Sequence, residues 1–223
     1  MKKTLIIIFG TLISILFMYI GWWLLSPLFI NQSVQEEFPS GIPTESELAD
    51  LSPMEAEKIL EDAMEVIDEE YVEHLPPDEA AALENEIMTI AKMAPDHPME
   101  EEMPKVDGES EWAFITQGKF QDADNFHKGS GMASIFQNGD QRVLRFEDFE
   151  VTNGPDLHVL LVENVFATNH DEIGKYVDLG KLKGNLGSQN YDLMPDVDLS
   201  LYQGVMIYCA PFHVVFATAS FEN

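Results

Sequence analysis

The chain carries a long uncharged run close to its first residue. Residues 4–30 contain no Asp, Glu, Lys or Arg, and Lys2 and Lys3 come directly before them. About 20 apolar residues suffice to cross a bilayer, whereas the apolar core of a cleaved signal peptide is usually about 7–15 residues long. We therefore expect residues 1–30 to be a transmembrane anchor or an uncleaved signal, with one membrane-spanning helix over residues 4–28.

The charges on either side of this run predict its orientation. Lysines that flank a spanning helix stay on the cytoplasmic side of the membrane. Because Lys2 and Lys3 precede the run and a strongly acidic chain follows it, the rest of the protein is expected to be extracytoplasmic. The predicted location is the cell membrane, as a single-pass protein with its C-terminal domain outside the cytoplasm.

The chain beyond the run is acidic. The whole chain has 40 Asp and Glu against 12 Lys and Arg, a formal net charge of −28, and most of this acidic excess lies in residues 36–111. An acidic surface repels nucleic acid, so a DNA or RNA partner is not expected. The expected partners are the membrane and a separate redox or extracellular protein.

Residues 31–111 read as an acidic linker followed by a helical hairpin. Ser52 suits an N-cap, Pro53 suits the first helical position, and Glu55 completes a capping box. Apolar residues then recur at helical spacing as far as residue 71, and a second amphipathic segment follows Pro76 and Pro77. We expect two long antiparallel helices, joined to the rest of the chain by a loop over residues 95–111.

From residue 112 the pattern changes to short runs of apolar and β-branched residues separated by turns. The clearest hairpin is "SIFQNGDQRVL", in which Asn138 and Gly139 stand between two alternating runs. About seven such strands predict a mainly β fold, with residues 112–223 forming an antiparallel β-sandwich or barrel that folds without the helices.

The chain has one cysteine, Cys209, in the apolar stretch "VMIYCAPFHVVF". A single cysteine in an oxidising compartment cannot form an internal disulfide. It is then a free thiol, an intermolecular bridge, or a ligand to a metal or haem, and the sequence leaves these alternatives open.

Three stretches in this region resemble the DM13 domain in their order and spacing. They are "FEDFEVTNGPDLHVLL", "LGKLKGNLGSQNYDLMPDVDLSLY" and "VMIYCAPFHVVFATA". The resemblance implies a candidate electron-transfer module whose cysteine acts as a redox thiol or as a ligand to a prosthetic group, and by position that cysteine is Cys209. Two residues depart from the family pattern: Tyr208 stands where Trp is common, and Ala217 where Gly is frequent.

The candidate site residues are Cys209, as redox thiol or ligand, and His213, as a second group that could bind a cofactor. His213 lies four residues after Cys209 and would share its side of an unbroken strand, but Pro211 predicts a bulge that would disturb that register. We expect Cys209 at the inner lip of a pocket. No cofactor is identified, and haem or a metal would both be compatible with the pair.

Two functions follow from these residues. The first is a membrane-anchored extracytoplasmic electron-transfer or redox module, and the second is a non-enzymatic binding or adhesion module with a structural cysteine. No phosphate-binding loop or catalytic triad pattern is present in the sequence, which favours a redox accessory or binding module over a stand-alone enzyme. Lys181 and Lys183, in "GKLKG", are expected to lie on a solvated hairpin.

Overall fold

The protein is described here by a computed structural model that covers residue 48, residues 51–105 and residues 111–222. The predicted anchor, residues 1–30, lies outside the described residues, as does most of the predicted linker. Within the described part of the chain, each helix is too short or too polar to cross a bilayer.

The described residues form three helices before the sheet: α1 (Pro53–Met64), α2 (Glu69–Glu73) and α3 (Pro77–Ala91). The predicted capping box is confirmed, because the Ser52 hydroxyl accepts the Glu55 amide and the Glu55 carboxylate accepts the Ser52 amide at 3.0 Å. The first predicted helix is too long, however. It ends at Met64, and a new helix begins after Asp68, whose carboxylate accepts the Tyr71 amide at 2.8 Å. A side-chain cap of this kind favours a fresh helix start over continuation.

The part of the chain that the structure describes forms a sheet of nine strands. They are β1 (Pro98–Glu100), β2 (Ala113–Asp122), β3 (Gly129–Asn138), β4 (Gln141–Val151), β5 (Leu157–Val162), β6 (Tyr176–Lys181), β7 (Leu186–Leu193), β8 (Gly204–Cys209) and β9 (Val214–Ser220). Their spatial order is β1-β7-β4-β3-β2-β9-β8-β5-β6. The predicted hairpin at Asn138 and Gly139 joins β3 to β4 and is confirmed.

The prediction of a mainly β fold is confirmed, but its architecture differs from a sandwich or a closed barrel. One continuous sheet curls into a half-barrel. The strand β2 pairs with β3 on one side and with β9 on the other, so it joins the two halves of the sheet. The alternation of apolar and polar residues along a strand predicts which face of the strand is buried. It does not predict whether the two halves of a sheet stay hydrogen-bonded to each other.

The short strand β1 corrects the predicted loop between the helices and the β domain. It pairs in parallel with β7, through Pro98 opposite Leu186 and Glu100 opposite Ser188. All the other strand pairs of the described sheet are antiparallel. The segment between α3 and β2, which we call the connector, therefore contributes an edge strand to the sheet.

The helices and the sheet share one hydrophobic core. Its centre is a group of three phenylalanine rings, Phe120, Phe146 and Phe149, with centroids 4.9 Å apart. Leu83 and Ile87 of α3 are fully buried in the same cluster. The boundary at residue 112 stays a prediction, but the apolar face of α3 covers apolar surface of the sheet, and removal of the helices would expose it.

The strand β8 is buried on both faces. Val205, Ile207 and Cys209 point into the main core, whereas Met206 and Tyr208 belong to a second apolar cluster on the opposite face. Successive side chains of a strand point to opposite faces. This alternation decides the environment of the candidate site residues.

Candidate functional site

Cys209 is the last residue of β8 and lies in the main core. It has no exposed surface, and it stands opposite Leu157 of β5 and Val214 of β9. Its Sγ donates a hydrogen bond to the Pro155 carbonyl oxygen at 3.1 Å. The expectation that Cys209 lies at the lip of a pocket is therefore wrong, because the thiol is fully buried among the apolar residues of the main core.

Burial raises the pKa of the Cys209 thiol to about 12. The Phe212 amide stabilises the thiolate and lowers the pKa, but the charges of Asp156 and Glu84 raise it further. Reactive cysteines are thiolates in partly exposed, electropositive surroundings, and Cys209 has the opposite surroundings. In this conformation it is a protonated, hydrogen-bonded thiol.

The surroundings of Cys209 do not fit a haem or a metal ion. Sites for ligands of drug size are cavities of about 300–1,000 Å³, and a residue without exposed surface borders no such space. The described residues that could together hold a metal ion, Glu69, Glu73 and His213, do not include Cys209. We therefore assign no ligand role to the thiol in this conformation.

His213 lies in the turn between β8 and β9 and faces away from the thiol. Its Nδ1 is 2.7 Å from the Tyr208 hydroxyl, and its Nε2 is 3.5 Å from Glu69 Oε1. The structure thus does not bring Cys209 and His213 together, although they are close in sequence. The strand ends at Cys209, and the turn that follows carries His213 to the face on which Tyr208 lies.

The backbone of His213 has φ +57°, which is the left-handed region. Residues other than glycine adopt this conformation rarely, and they keep it where the surroundings require it. Here it directs the imidazole toward the Tyr208 hydroxyl and Glu69.

Tyr208 is the centre of a polar cluster that we call the Tyr208 cluster, formed by Glu69, His170, Tyr208 and His213. The Tyr208 hydroxyl is 3.0 Å from His170 Nδ1 as well as 2.7 Å from His213 Nδ1. The two imidazole rings lie 4.8 Å apart between centroids. A phenol has one proton, so Tyr208 donates to one imidazole and accepts from the other.

The Tyr208 phenol stays protonated over a wide pH range. Burial raises its pKa, and the negative charge of Glu69 and the neighbouring Tyr176 raise it further. The cluster borders a cavity of about 100 Å³ that is also lined by His158, Asp178 and Ala210 among others. This space holds a few water molecules or an ion, and it is well below the volume that a haem-sized ligand needs.

Sequence reasoning found His213 but missed its partners. His170 lies 38 residues from Tyr208 in a short 3₁₀ helix between β5 and β6, and Glu69 lies in α2, outside the β region. The available signal was the departure from the family pattern at Tyr208. An indole N–H can only donate, whereas a phenol can donate and accept, so only Tyr can bridge two imidazoles in this way.

The stretches that carry the family resemblance hold the connector against the sheet. The Asn153 amide donates to the carbonyls of Ala94 and Pro95 at 3.2 and 3.1 Å. Asn185 Oδ1 accepts the His97 amide at 2.6 Å, and its Nδ2 donates to Asp96 at 2.8 Å. These motif side chains therefore bind the segment of residues 94–97.

The lysine motif has the same role. The Lys183 side chain is exposed, as the sequence predicts. Its Nζ also pairs with the Glu101 carboxylate at 2.9 Å and donates to the Asn190 carbonyl at 2.8 Å. The glycines of the motif allow the connector backbone to pack closely against this stretch of the chain. A Cβ on Gly184 would lie 2.2 Å from the His97 carbonyl oxygen, and one on Gly187 would lie 2.0 Å from that of Met99.

Comparison with known proteins gives one finding about family. Residues 119–221 match the family model DM13, described as Electron transfer DM13. No curated protein and no solved structure matched the chain. The match supports the DM13 family for the β domain, and it leaves α1, α2, α3 and β1 outside.

Proposed function

We propose that this chain is a membrane-anchored, extracytoplasmic redox accessory protein whose β domain takes part in electron transfer. The observation that carries the proposal is the match of residues 119–221 to an electron-transfer domain family. The uncharged residues 4–30, with Lys2 and Lys3 before them, support the anchor and its orientation. The acidic surface supports a separate protein as redox partner, since it favours a partner with basic patches.

The geometry bears on the part that Cys209 plays in this function. A redox thiol or a thiolate ligand needs access to an electron acceptor or to a cofactor, and Cys209 has neither exposed surface nor a readily formed thiolate. Its hydrogen bond to Pro155 joins β8 to the turn before β5. We propose a structural role for Cys209 and regard the exposed edge of the Tyr208 cluster as the better candidate for contact with a redox partner.

A second function, a non-enzymatic binding module, is favoured by one specific observation. The family motifs of this chain are occupied in holding the connector, as Asn153, Lys183 and Asn185 show. If the motif residues serve packing alone, the domain needs no redox centre. Its function would then be to display its loops to a binding partner.

Redox titration of the full-length protein, purified in detergent from its own membranes, distinguishes the two functions. We expect a reversible redox signal from a metal or prosthetic group that the protein retains from those membranes, and we expect this signal to persist when Cys209 is replaced by alanine. The absence of any redox signal in the wild-type protein would favour the binding module. Loss of the signal only in Cys209→Ala, with the fold retained by circular dichroism, would restore the redox role of the thiol.

Topology is tested separately by adding protease to intact protoplasts. Digestion of the β domain is expected, because the predicted orientation places everything beyond residue 30 outside the cytoplasm. Full protection of that domain would contradict the proposed location.

A further inference from the structure

We infer that Glu69, Glu73 and His213 form a binding site for a divalent transition-metal ion, in which Tyr208 positions the imidazole of His213. The inference stands on the contacts of these residues and does not rest on the proposed electron-transfer role. It concerns a ligand set that excludes Cys209.

The three potential ligands converge from two elements. Glu69 and Glu73 are four residues apart in α2, so their carboxylates project from the same side of the helix. His213 comes from the turn between β8 and β9, and one ligand atom from each of the three residues lies within 4.8 Å of the others. Bonds of about 2.0–2.2 Å to a shared ion need closer approach, which the two exposed glutamate side chains can provide by rotation.

The imidazole is held as metal-binding histidines usually are, by a hydrogen bond at its other ring nitrogen. Tyr208 contacts His213 Nδ1 at 2.7 Å and His170 Nδ1 at 3.0 Å. With one phenolic proton, a consistent arrangement has His213 Nδ1–H donating to Tyr208 and Tyr208 donating to His170. That arrangement leaves a lone pair on His213 Nε2, directed toward Glu69 Oε1 at 3.5 Å.

A lone pair and a carboxylate oxygen repel each other unless a cation lies between them. In the opposite tautomer or in the protonated imidazolium, Nε2–H would donate to Glu69, but 3.5 Å is long for such a hydrogen bond. The cavity beside the cluster is lined by Glu69, Asp178 and three histidines, and neither lysine nor arginine is among the residues that line it. A bound divalent ion would neutralise this local negative charge.

The donor set indicates the class of metal. One imidazole nitrogen with two carboxylates suits borderline ions such as Zn²⁺ and Cu²⁺, whereas Mg²⁺ and Ca²⁺ prefer oxygen alone. Three protein ligands leave at least one position for water, which is the pattern of zinc sites with an open coordination position rather than of closed sites. Such an ion would also join α2 to the sheet.

Zinc titration of the full-length protein in detergent, after treatment with a chelator, tests the site. Calorimetry is done in excess Mg²⁺, which occupies non-specific carboxylate sites. We expect one Zn²⁺ per chain, and a tenfold or greater loss of affinity in Glu69→Gln, Glu73→Gln and His213→Asn. Asparagine tolerates the left-handed backbone of position 213, so this variant keeps the turn.

The matched control is Glu70→Gln, which removes the same charge from the exposed neighbouring position of the same helix. Unchanged zinc affinity in this variant supports the site. Equal weakening in Glu70→Gln and Glu69→Gln would show that zinc binds to the acidic surface in general, and no saturable binding, or binding unaffected by His213→Asn, would equally overturn the inference.

Tyr208→Phe tests the positioning role. The variant keeps the ring and removes the hydroxyl, and loss of such an outer partner typically lowers metal affinity about 10–100-fold. We expect that loss with the stoichiometry retained, and Cu²⁺ bound to the wild-type protein should show coupling to one imidazole nitrogen by electron paramagnetic resonance. Wild-type zinc affinity in Tyr208→Phe would remove Tyr208 from the site, and a copper spectrum without nitrogen coupling would remove His213.

Discussion

Replacing Cys209 with serine puts a hydroxyl in place of a thiol at a position without exposed surface. The thiol donates to the Pro155 carbonyl at 3.1 Å, and the shorter C–O bond of serine draws the donor away from that oxygen. A buried hydroxyl with a poor partner costs about 1–3 kcal/mol, so we expect the free energy of unfolding to fall by that amount. For a chain of this size the melting temperature should fall by about 2–10 °C.

The assay is urea denaturation of the full-length protein in detergent, followed by near-ultraviolet circular dichroism, with Cys209→Ala as the matched variant that adds no polar group. Thiol labelling of the wild-type protein provides a second measurement. With a pKa of about 12, roughly one thiol in 10⁴ is ionised at pH 8, and labelling should be slow until the protein is denatured. A serine variant as stable as the wild type, together with rapid labelling of the native thiol, would refute the placement of Cys209 in the core.

Three further predictions follow from the same structure. Folding raises the pKa of Cys209, so the stability that the protonated thiol contributes is complete below the unfolded pKa of about 8.5–9 and is lost as pH rises toward about 12. Between pH 8 and pH 10, the free energy of unfolding of the wild-type protein should therefore fall by about 1–2 kcal/mol more than that of Cys209→Ala. Denaturant titration at each pH measures this difference. Gly187→Ala should destabilise the protein more than Gly180→Ala. Both glycines have positive φ, but only a Cβ at Gly187 would clash with β1, at the Met99 carbonyl oxygen. Equal decreases of the melting temperature in the two variants would contradict the close packing of β1 on β7. Ile87→Ala in α3 should cost about 2–5 kcal/mol and lower the melting temperature of the sheet itself, whereas Val66→Ala at an exposed position should cost little; a sheet that melts unchanged in Ile87→Ala would show that the helices are separate from its core.

Local chemistry in the sequence predicted local structure well. The capping box at Ser52 and Glu55 and the hairpin at Asn138 and Gly139 were predictable because each depends on residues within a few positions of one another. The mainly β composition of the C-terminal half was predictable from alternation for the same reason. The DM13 resemblance was predictable because its motifs are contiguous stretches.

The features that depend on distant pairing were not predictable. Nothing in "PME" marks residues 98–100 as a strand, and that segment pairs with β7 because Gly184 and Gly187, more than 80 residues later, leave room for it. The separation of Cys209 from His213 depends on where β8 ends, which sequence spacing does not reveal. The Tyr208 cluster joins a helix, a 3₁₀ helix and a turn that share no sequence pattern.

The parallel pairing of β1 with β7 has a consequence for association between copies of the protein. A sheet edge with unpaired amides and carbonyls is a template for strands of other molecules. In this chain β1 covers part of β7, and the pairing is held by the Lys183–Glu101 ion pair and by the hydrogen bond from the Asn190 amide to Glu101. Cleavage or substitution that detaches residues 94–102 would uncover this edge, and the protein would then be prone to strand exchange and aggregation although its core residues were unchanged.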